Sequence, residues 1–263
     1  MKHNEFNYYN KIKNWDFSQI NCETESLTNW DISKILNEKA TKKSRILDLG
    51  TGGGEILINE FPEVLEIVGT DFSPEMIKTA KENLKKSKKK KIKPSINKKE
   101  VKFRMMDNLN MDTEDNYFDI VVARNTCIDA RQIYKTLKKD GLLLVRGVDK
   151  LDCWQLKRLF NRGQAFNDTK PISQIDYENI LDAGFKNVEL IPIYEREYYK
   201  TKDDLLALLL KTPILNDFSE EHENNNLIEN NIDMQILNQY IENNTTNKGI
   251  LLRRRYYGIV ASK

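Results

Sequence analysis

The chain is poor in the residues that build metal centres and covalent scaffolds. Its three cysteines (Cys22, Cys127, Cys153) stand far apart, and its only histidines are His3 and His222. No CxxC, HExxH or other paired ligand spacing occurs, so neither a structural zinc site nor a disulfide framework is expected, and no metal is assigned. Long apolar runs are lacking too. The longest, Leu205 to Leu210, falls far below the roughly 20 residues a membrane span needs. The opening MKHNEFNYYN holds no apolar signal core, which leads to the expectation of a cytoplasmic protein without a membrane partner. Charge of one sign is also missing. Lys and Arg number 42 against 40 Asp and Glu, and a formal charge of +2 excludes a histone-like polybasic protein, so DNA is not an expected partner.

What is present suffices for a substantial core. At 263 residues and 39% hydrophobic content, the chain is long and apolar enough for one large or two modest domains. Residues 1–43 are polar and aromatic, with Tyr8, Tyr9, Trp15, Phe17 and Trp30 spaced as in short amphipathic helices. From Ser44 the pattern changes to short apolar runs alternating with helical segments. Strands are expected at Ser44–Gly50, Glu66–Thr70, Val101–Met106, Phe118–Ala123 and Gly141–Val145. Helices are expected at 55–60, from Pro74 to about Lys86, and at Ile128–Lys139, the last closed by Lys138-Lys139-Asp140-Gly141. Such alternation is the signature of a parallel sheet covered on both faces. Nine lysines and no acid occupy positions 85–99, which no packed core can absorb. Further on, a helix at Ser173–Ala183 precedes an extended stretch, Lys186–Tyr199, whose antiparallel partner is Gly249–Ala261. Between them, helical patterns at 202–211 and 232–242 make a helical insert over 200–248 the expectation.

The decisive segment is Asp48-Leu49-Gly50-Thr51-Gly52-Gly53-Gly54, directly after a strand and before a helix. Glycines there let the backbone turn sharply and approach a ligand closely. Dinucleotide spacing would put its third glycine at position 55, where Glu55 stands, and a carboxylate is a poor neighbour for a pyrophosphate. The loop therefore suits an adenosyl ligand that carries an amino acid and a sulfonium. Asp71, ending the second strand, is placed to accept both ribose hydroxyls. Phe72 and Met76 can cover the adenine, and Asp107, with Asn108 beside it, can accept from its amino group.

Residues 44–150 resemble a class I S-adenosyl-L-methionine-dependent methyltransferase. The resemblance rests on RILDLGTGGGE (45–55), IVGTDFSPEMIKTAKENL (67–84), FRMMDNLN (103–110), YFDIVVARN (117–125) and IYKTLKKDGLLLVRG (133–147). It implies an α/β, Rossmann-like seven-stranded sheet with helices on both faces and the last two strands antiparallel, together with a helical N-terminal segment and a helical insert before the last strand. The domains would be a cap at 1–43, a methyltransferase domain at 44–199 and 249–263, and an insert or lid at 200–248. The resemblance also implies S-adenosyl-L-methionine as cofactor. Asp48 and the loop of Gly50, Thr51, Gly52 and Gly54 would surround its methionine part, Asp71 its ribose, Asp107 and Asn108 its adenine, and Ala123 with Arg124 the sulfonium end. The exit Ala-Arg-Asn-Thr-Cys departs from small-molecule members, which more often show a small polar residue and a downstream histidine.

Methyl transfer from a sulfonium is an in-line displacement in which alignment and desolvation supply much of the catalysis. A base is needed only where the acceptor loses a proton. Candidates near the methyl lie at strand exits: Arg124, Asn125 and Asp129 after the fourth strand, and Arg146, Asp149, Asp152, Cys153 and Trp154 after the fifth. Arg124, Asn125 and Asp152 are the first choices. Arg124 either orients an anionic acceptor or the cofactor carboxylate, or is a structural arginine bonded to a carbonyl. The run Arg158–Asp168 is either a substrate-contact loop or a linker. A small organic acceptor is the first reading, with the termini roofing its pocket. An RNA nucleobase or ribose is the second, resting on the lysine run and Arg253-Arg254-Arg255, although Arg254 faces the opposite side of a strand from its neighbours. The sequence leaves monomer and homodimer equally open.

Overall fold

The computed structural model describes residues 17, 19–89, 100–215, 218 and 232–263. The expectations for Tyr8, Tyr9, Trp15, His3, His222, the lysines of 90–99 and the acidic stretch 220–231 lie outside the described residues. Among the described residues, nine strands form one mixed sheet. They are β1 (Cys22–Ser26), β2 (Arg45–Leu49), β3 (Glu66–Asp71), β4 (Glu100–Met105), β5 (Phe118–Arg124), β6 (Leu137–Val148), β7 (Lys186–Tyr199), β8 (Thr245–Thr246) and β9 (Gly249–Ser262). The order across the sheet is β1-β7-β9-β6-β5-β2-β3-β4, with β8 added to β9. Strands β2 to β6 pair in parallel, while β9 runs antiparallel to both β6 and β7.

The expected seven strands are therefore nine. The addition that matters is β1, which pairs antiparallel with β7 inside the segment expected to be helical. Its sequence, Cys-Glu-Thr-Glu-Ser, buries almost nothing and is held at the sheet edge by main-chain bonds, so no apolar period announces it. The helix α1 (Ile32–Lys39) follows; Asp31 caps it by accepting from the Ser33 and Lys34 N–H groups.

Helices α2 (Glu55–Glu60) and α3 (Pro74–Lys89) join α1 on one face of the sheet over a core of Leu36, Ile46, Leu57, Ile67 and Phe103. Helices α4 (Ala130–Thr136) and α6 (Ile172–Asp182) cover the other face over Leu47, Val121, Ile133, Leu143 and Ile180. Helix α4 stops at Thr136, earlier than the expected Lys139. Leu137 pairs with Phe118 across a register shift, and Asp140, with φ 62°, takes the left-handed turn expected of Gly141. The N–H of Asp140 donates to Lys263 O at 3.2 Å.

A third cluster joins α5 (Trp154–Phe160), α7 (Lys202–Lys211) and α8 (Ile232–Asn244) through Leu156, Phe160, Leu205, Leu209, Leu237 and Tyr240. The Tyr240 hydroxyl donates to Leu251 O at 2.9 Å and ties this cluster to β9. Arg158 to Phe160, expected at the head of a loop, belong to α5. Among the described residues no helix is long and apolar enough to cross a membrane.

Candidate active site

Strand β2 lies between β3 and β5, where the strand order reverses direction, so a crevice opens beyond their carboxyl ends. The loop leaving β2 alternates into the left-handed region three times: φ is 68° at Gly50, 57° at Gly52 and 75° at Gly54, a conformation that side chains with a Cβ avoid. Main-chain bonds fix it. The Thr51 N–H donates to Thr70 O at 2.8 Å and the Gly54 N–H to Thr51 O at 3.0 Å. A Cβ on Gly50 would stand 2.7 Å from that of Thr126, so the residue two places past β5 packs flush against the loop.

The carboxylate of Asp71 accepts from the Gly52 N–H and the Ser73 N–H, both at 2.9 Å. Burial pushes its pKa up; the two N–H bonds oppose the shift and the charge of Asp48 adds to it. Asp48 is fully buried. Arg124 Nη2 reaches both of its oxygens, at 3.1 and 3.2 Å, while the guanidinium lies 5.0 Å from the centre of the Phe61 ring. Arg124 is thus bonded to the loop's own aspartate and not to a carbonyl. Both residues leave neighbouring strands on the same face of the sheet, which brings them together across 76 residues of sequence.

At the adenine end, Met76 is buried within the first turn of α3 and Phe72 is half-buried. Of the neighbours Asp107 and Asn108, it is Asn108 that turns inward. Asp107 is exposed and accepts from the Leu109 N–H at 2.9 Å, a turn closed by the bridge between Asp107 and Asn110. The Asn108 amide donates to Thr126 Oγ1 at 2.9 Å, which connects the exits of β4, β5 and β2. Ala123 is buried in the core beneath the crevice.

Two buried oxygens, Thr51 Oγ1 and Asn108 Oδ1, have no hydrogen-bond partner among the described residues. Buried polar atoms are nearly always bonded, so these two mark where a ligand's donors belong. Glu55 opens α2, and Asn83 Nδ2 bonds both Glu55 Oε1 and Gly53 O at 3.0 Å. A fixed carboxylate at that point opposes a diphosphate, and the orphaned acceptors suit ribose and adenine donors. The residues present therefore fit an adenosyl sulfonium.

On the other side of β5, Asn125 stands exposed with φ 50°, and its N–H donates to Arg146 O at 2.7 Å. Its Oδ1 accepts from Arg146 Nη1 at 3.3 Å. Beside them opens a cleft of about 550 Å³ walled by the turn from Ser26 to Asp31 and floored by Arg146 and Glu195. Asp152, expected near the transferred methyl, is buried. Its oxygens accept from Arg254 Nε at 2.9 Å, Arg254 Nη2 at 3.1 Å and the Arg255 N–H at 2.8 Å. Asp129 caps α4. Sequence reading missed Thr126, Asn83 and Glu195. Thr126 could have been found as the residue facing the glycine loop just past β5, whereas the other two carry no local signal.

Residues 40–183, just over half of the chain, match the family model for a methyltransferase domain. No curated protein matches the sequence. Among solved structures, a provisionally assigned methyltransferase from Bacillus halodurans is 16% identical with a TM-score of 0.55, covering 89% of this chain and 98% of that one. The YcgJ protein of Bacillus subtilis is 16% identical with a TM-score of 0.52, covering 88% and 97%. The cyclase SpnF is 16% identical with a TM-score of 0.50, covering 88% and 79%. At these identities the likeness is one of fold, and a cyclase among the matches shows that the fold does not dictate the reaction. The family match, in contrast, spans the strands and loops that carry the crevice. The chain therefore belongs to the class I S-adenosyl-L-methionine-dependent methyltransferases, an enzyme whose methyl donor is S-adenosyl-L-methionine.

Proposed function

We propose that the enzyme methylates a small organic acceptor held beside the exits of β5 and β6. The observation that carries this reading is the cleft of about 550 Å³ lined by Arg146, a size that suits one small molecule, with Arg146 in turn bonded to Asn125. In this reading residues 44–199 and 249–263 are the methyltransferase domain, with 1–43 as a cap and 200–248 as an insert or lid. Gly50, Thr51, Gly52 and Gly54 offer backbone to the methionine part, and Asp48, held by Arg124, stands behind them. Asp71 accepts the ribose hydroxyls. Phe72 and Met76 cover the adenine, Asn108 accepts from its amino group, and Asp107 borders it.

When bound, the donor supplies a methyl group on a positively charged sulfur, already activated for displacement. The chain's task is alignment and exclusion of water. Asn125, bonded to Arg146 of the cleft, is the exposed polar group at the exit of β5 nearest in the chain to Arg124 and is assigned to the acceptor. Arg124 and Asp152 are positioning residues, the first acting through Asp48 and the second through Arg254. Of the basic residues behind the RNA reading, Arg253 to Arg255 form no stripe: Arg254 lies between Asp152 and Glu197, and Arg253 bonds Gln155 at 2.5 Å.

Calorimetry with S-adenosylhomocysteine tests the cofactor half. Binding is expected, and Asp71→Ala should weaken it by about a hundredfold through loss of charge-assisted bonds. A folded protein that ignores the ligand, or an Asp71→Ala variant that binds as the parent does, overturns it. Methyl-labelled donor offered with a metabolite extract and with total RNA tests the acceptor half. Label is expected in the small-molecule fraction, and label in RNA would overturn that part.

A further inference from the structure

Two arginines flank Tyr256 on one face of the sheet, Arg146 at 3.8 Å and Arg254 at 5.0 Å from its ring centre. Their environments differ. Arg254 has full partners: Asp152 takes two of its bonds, and Glu197 takes Nη1 at 2.9 and 3.1 Å. Among the described residues, the Arg146 guanidinium makes one hydrogen bond to Glu195 at 3.4 Å and one to Asn125 at 3.3 Å. Both exceed the roughly 2.7–2.9 Å of a well-made charge-assisted bond. The side chains of Arg146 and Glu195 are 22% and 18% exposed, and both face the cleft. Trp30 stands at its wall with the indole laid against Gly258, the sheet partner of Arg146, where a Cβ would come within 2.6 Å of the ring. Asp31, also on the wall, is engaged in capping α1. The Tyr256 hydroxyl makes no hydrogen bond to a described residue, although the side chain is buried.

From this we infer that Arg146 and Glu195 select the acceptor, and that the acceptor is a zwitterion carrying an amine and an acidic group. The inference rests on the acceptor site proposed above. An anion alone would draw Arg146 from Glu195 and leave two negative groups side by side. A cation alone would take Glu195 and strand a largely desolvated guanidinium. Either outcome leaves an uncompensated charge, which is costly in a partly buried setting. A ligand with both charges exchanges one loose ion pair for two. The indole of Trp30 then offers an apolar wall to the part between them. Carboxylate and phosphate monoester both suit a guanidinium.

The test uses the full chain loaded with S-adenosylhomocysteine and follows binding of β-alanine, phosphoethanolamine, propionate and propylamine by calorimetry. At least one of the two zwitterions should bind about tenfold or more tightly than either singly charged probe; which one does identifies the acidic group. Arg146→Gln should erase the preference over propylamine, and Glu195→Gln the preference over propionate, with affinity for S-adenosylhomocysteine unchanged. A merely structural role for the pair would weaken all probes alike. The double variant Arg146→Gln/Glu195→Gln strands no charge and should lose both preferences, which keeps the test open if a single variant fails to fold. Failure of both zwitterions to bind, tighter binding of a singly charged probe, or an unchanged ranking in the variants overturns the inference. If S-adenosylhomocysteine itself fails to bind, it is the methyltransferase reading that falls instead.

Discussion

The exits of β2 to β5 and the ends of β6, β7 and β9 lie along the same edge of one sheet, yet they are built in different ways. The first region is made of main chain: three left-handed glycines, the N–H groups of Gly52 and Ser73 on Asp71, and few side chains. The second is made of side chains: Arg146, Arg254, Tyr256, Glu195, Glu197 and Asp152 in a continuous set of ion pairs and ring contacts. A backbone-lined site keeps its shape through most changes of sequence, whereas a side-chain-lined one is rewritten by a single substitution. That division suits an enzyme whose donor is shared by its family while the acceptor is its own.

The comparison predicts that the two regions fail separately. Asp152→Ala should have the largest effect, because it leaves the buried Arg254 with Glu197 as its remaining carboxylate partner and strips the Arg255 N–H. A cost of about 3–5 kcal/mol is the scale for breaking a buried pair from one side. Denaturant unfolding should show a markedly lower midpoint, while the folded fraction keeps its affinity for S-adenosylhomocysteine. Loss of that affinity in still-folded protein would mean that the two regions are one cooperative site. Adding Arg254→Met should restore part of the stability, since the stranded charge is then gone.

Gly54→Ala strikes the other region. At φ 75° an alanine is strained, and its Cβ would sit 2.9 Å from the Phe103 ring. A loss of about 1–3 kcal/mol is expected, accompanied by weaker cofactor binding because the loop cannot hold its curl. An alanine variant with parental melting and binding would show that the loop tolerates a Cβ and that its glycines are not what defines the site.

The same division explains what could be read from sequence. Strands β2, β3 and β5 are apolar runs of five to seven residues bounded by turn signals, and the glycine loop is contiguous, so these strands and Asp71 emerge from local pattern, whereas the edge strand β4 buries only Phe103. The antiparallel side is fixed by partners distant in sequence. Arg254 finds Asp152 across 102 residues, and Glu195 reaches Arg146 across 49, so neither pairing leaves a trace in spacing. Strand β1 has no buried period, because its place comes from the main chain of β7. Even beside the glycine loop, which of Asp107 and Asn108 turns inward depends on a turn closed at Asn110, which no periodicity encodes.

The smallest predicted effect sits where the two regions share a core. Asp176 of α6 accepts from the Tyr257 hydroxyl of β9 at 2.5 Å, and burial pushes its pKa up to about 6, with the Tyr257 bond opposing the shift. A carboxyl whose pKa is raised on folding favours the native state at low pH, where it is protonated. That advantage fades as pH rises from the unfolded value near 4 through about 6. Above that pH the wild type carries a buried charge, and Asp176→Asn does not. The asparagine still accepts from Tyr257, so the variant should match the parent near pH 4 and exceed it by about 2 kcal/mol at pH 8. Chemical denaturation at the two pH values measures the difference. Were the gap the same at both, the carboxyl would be titrating as it does in the unfolded chain, and the shared core would be wetter than its packing indicates.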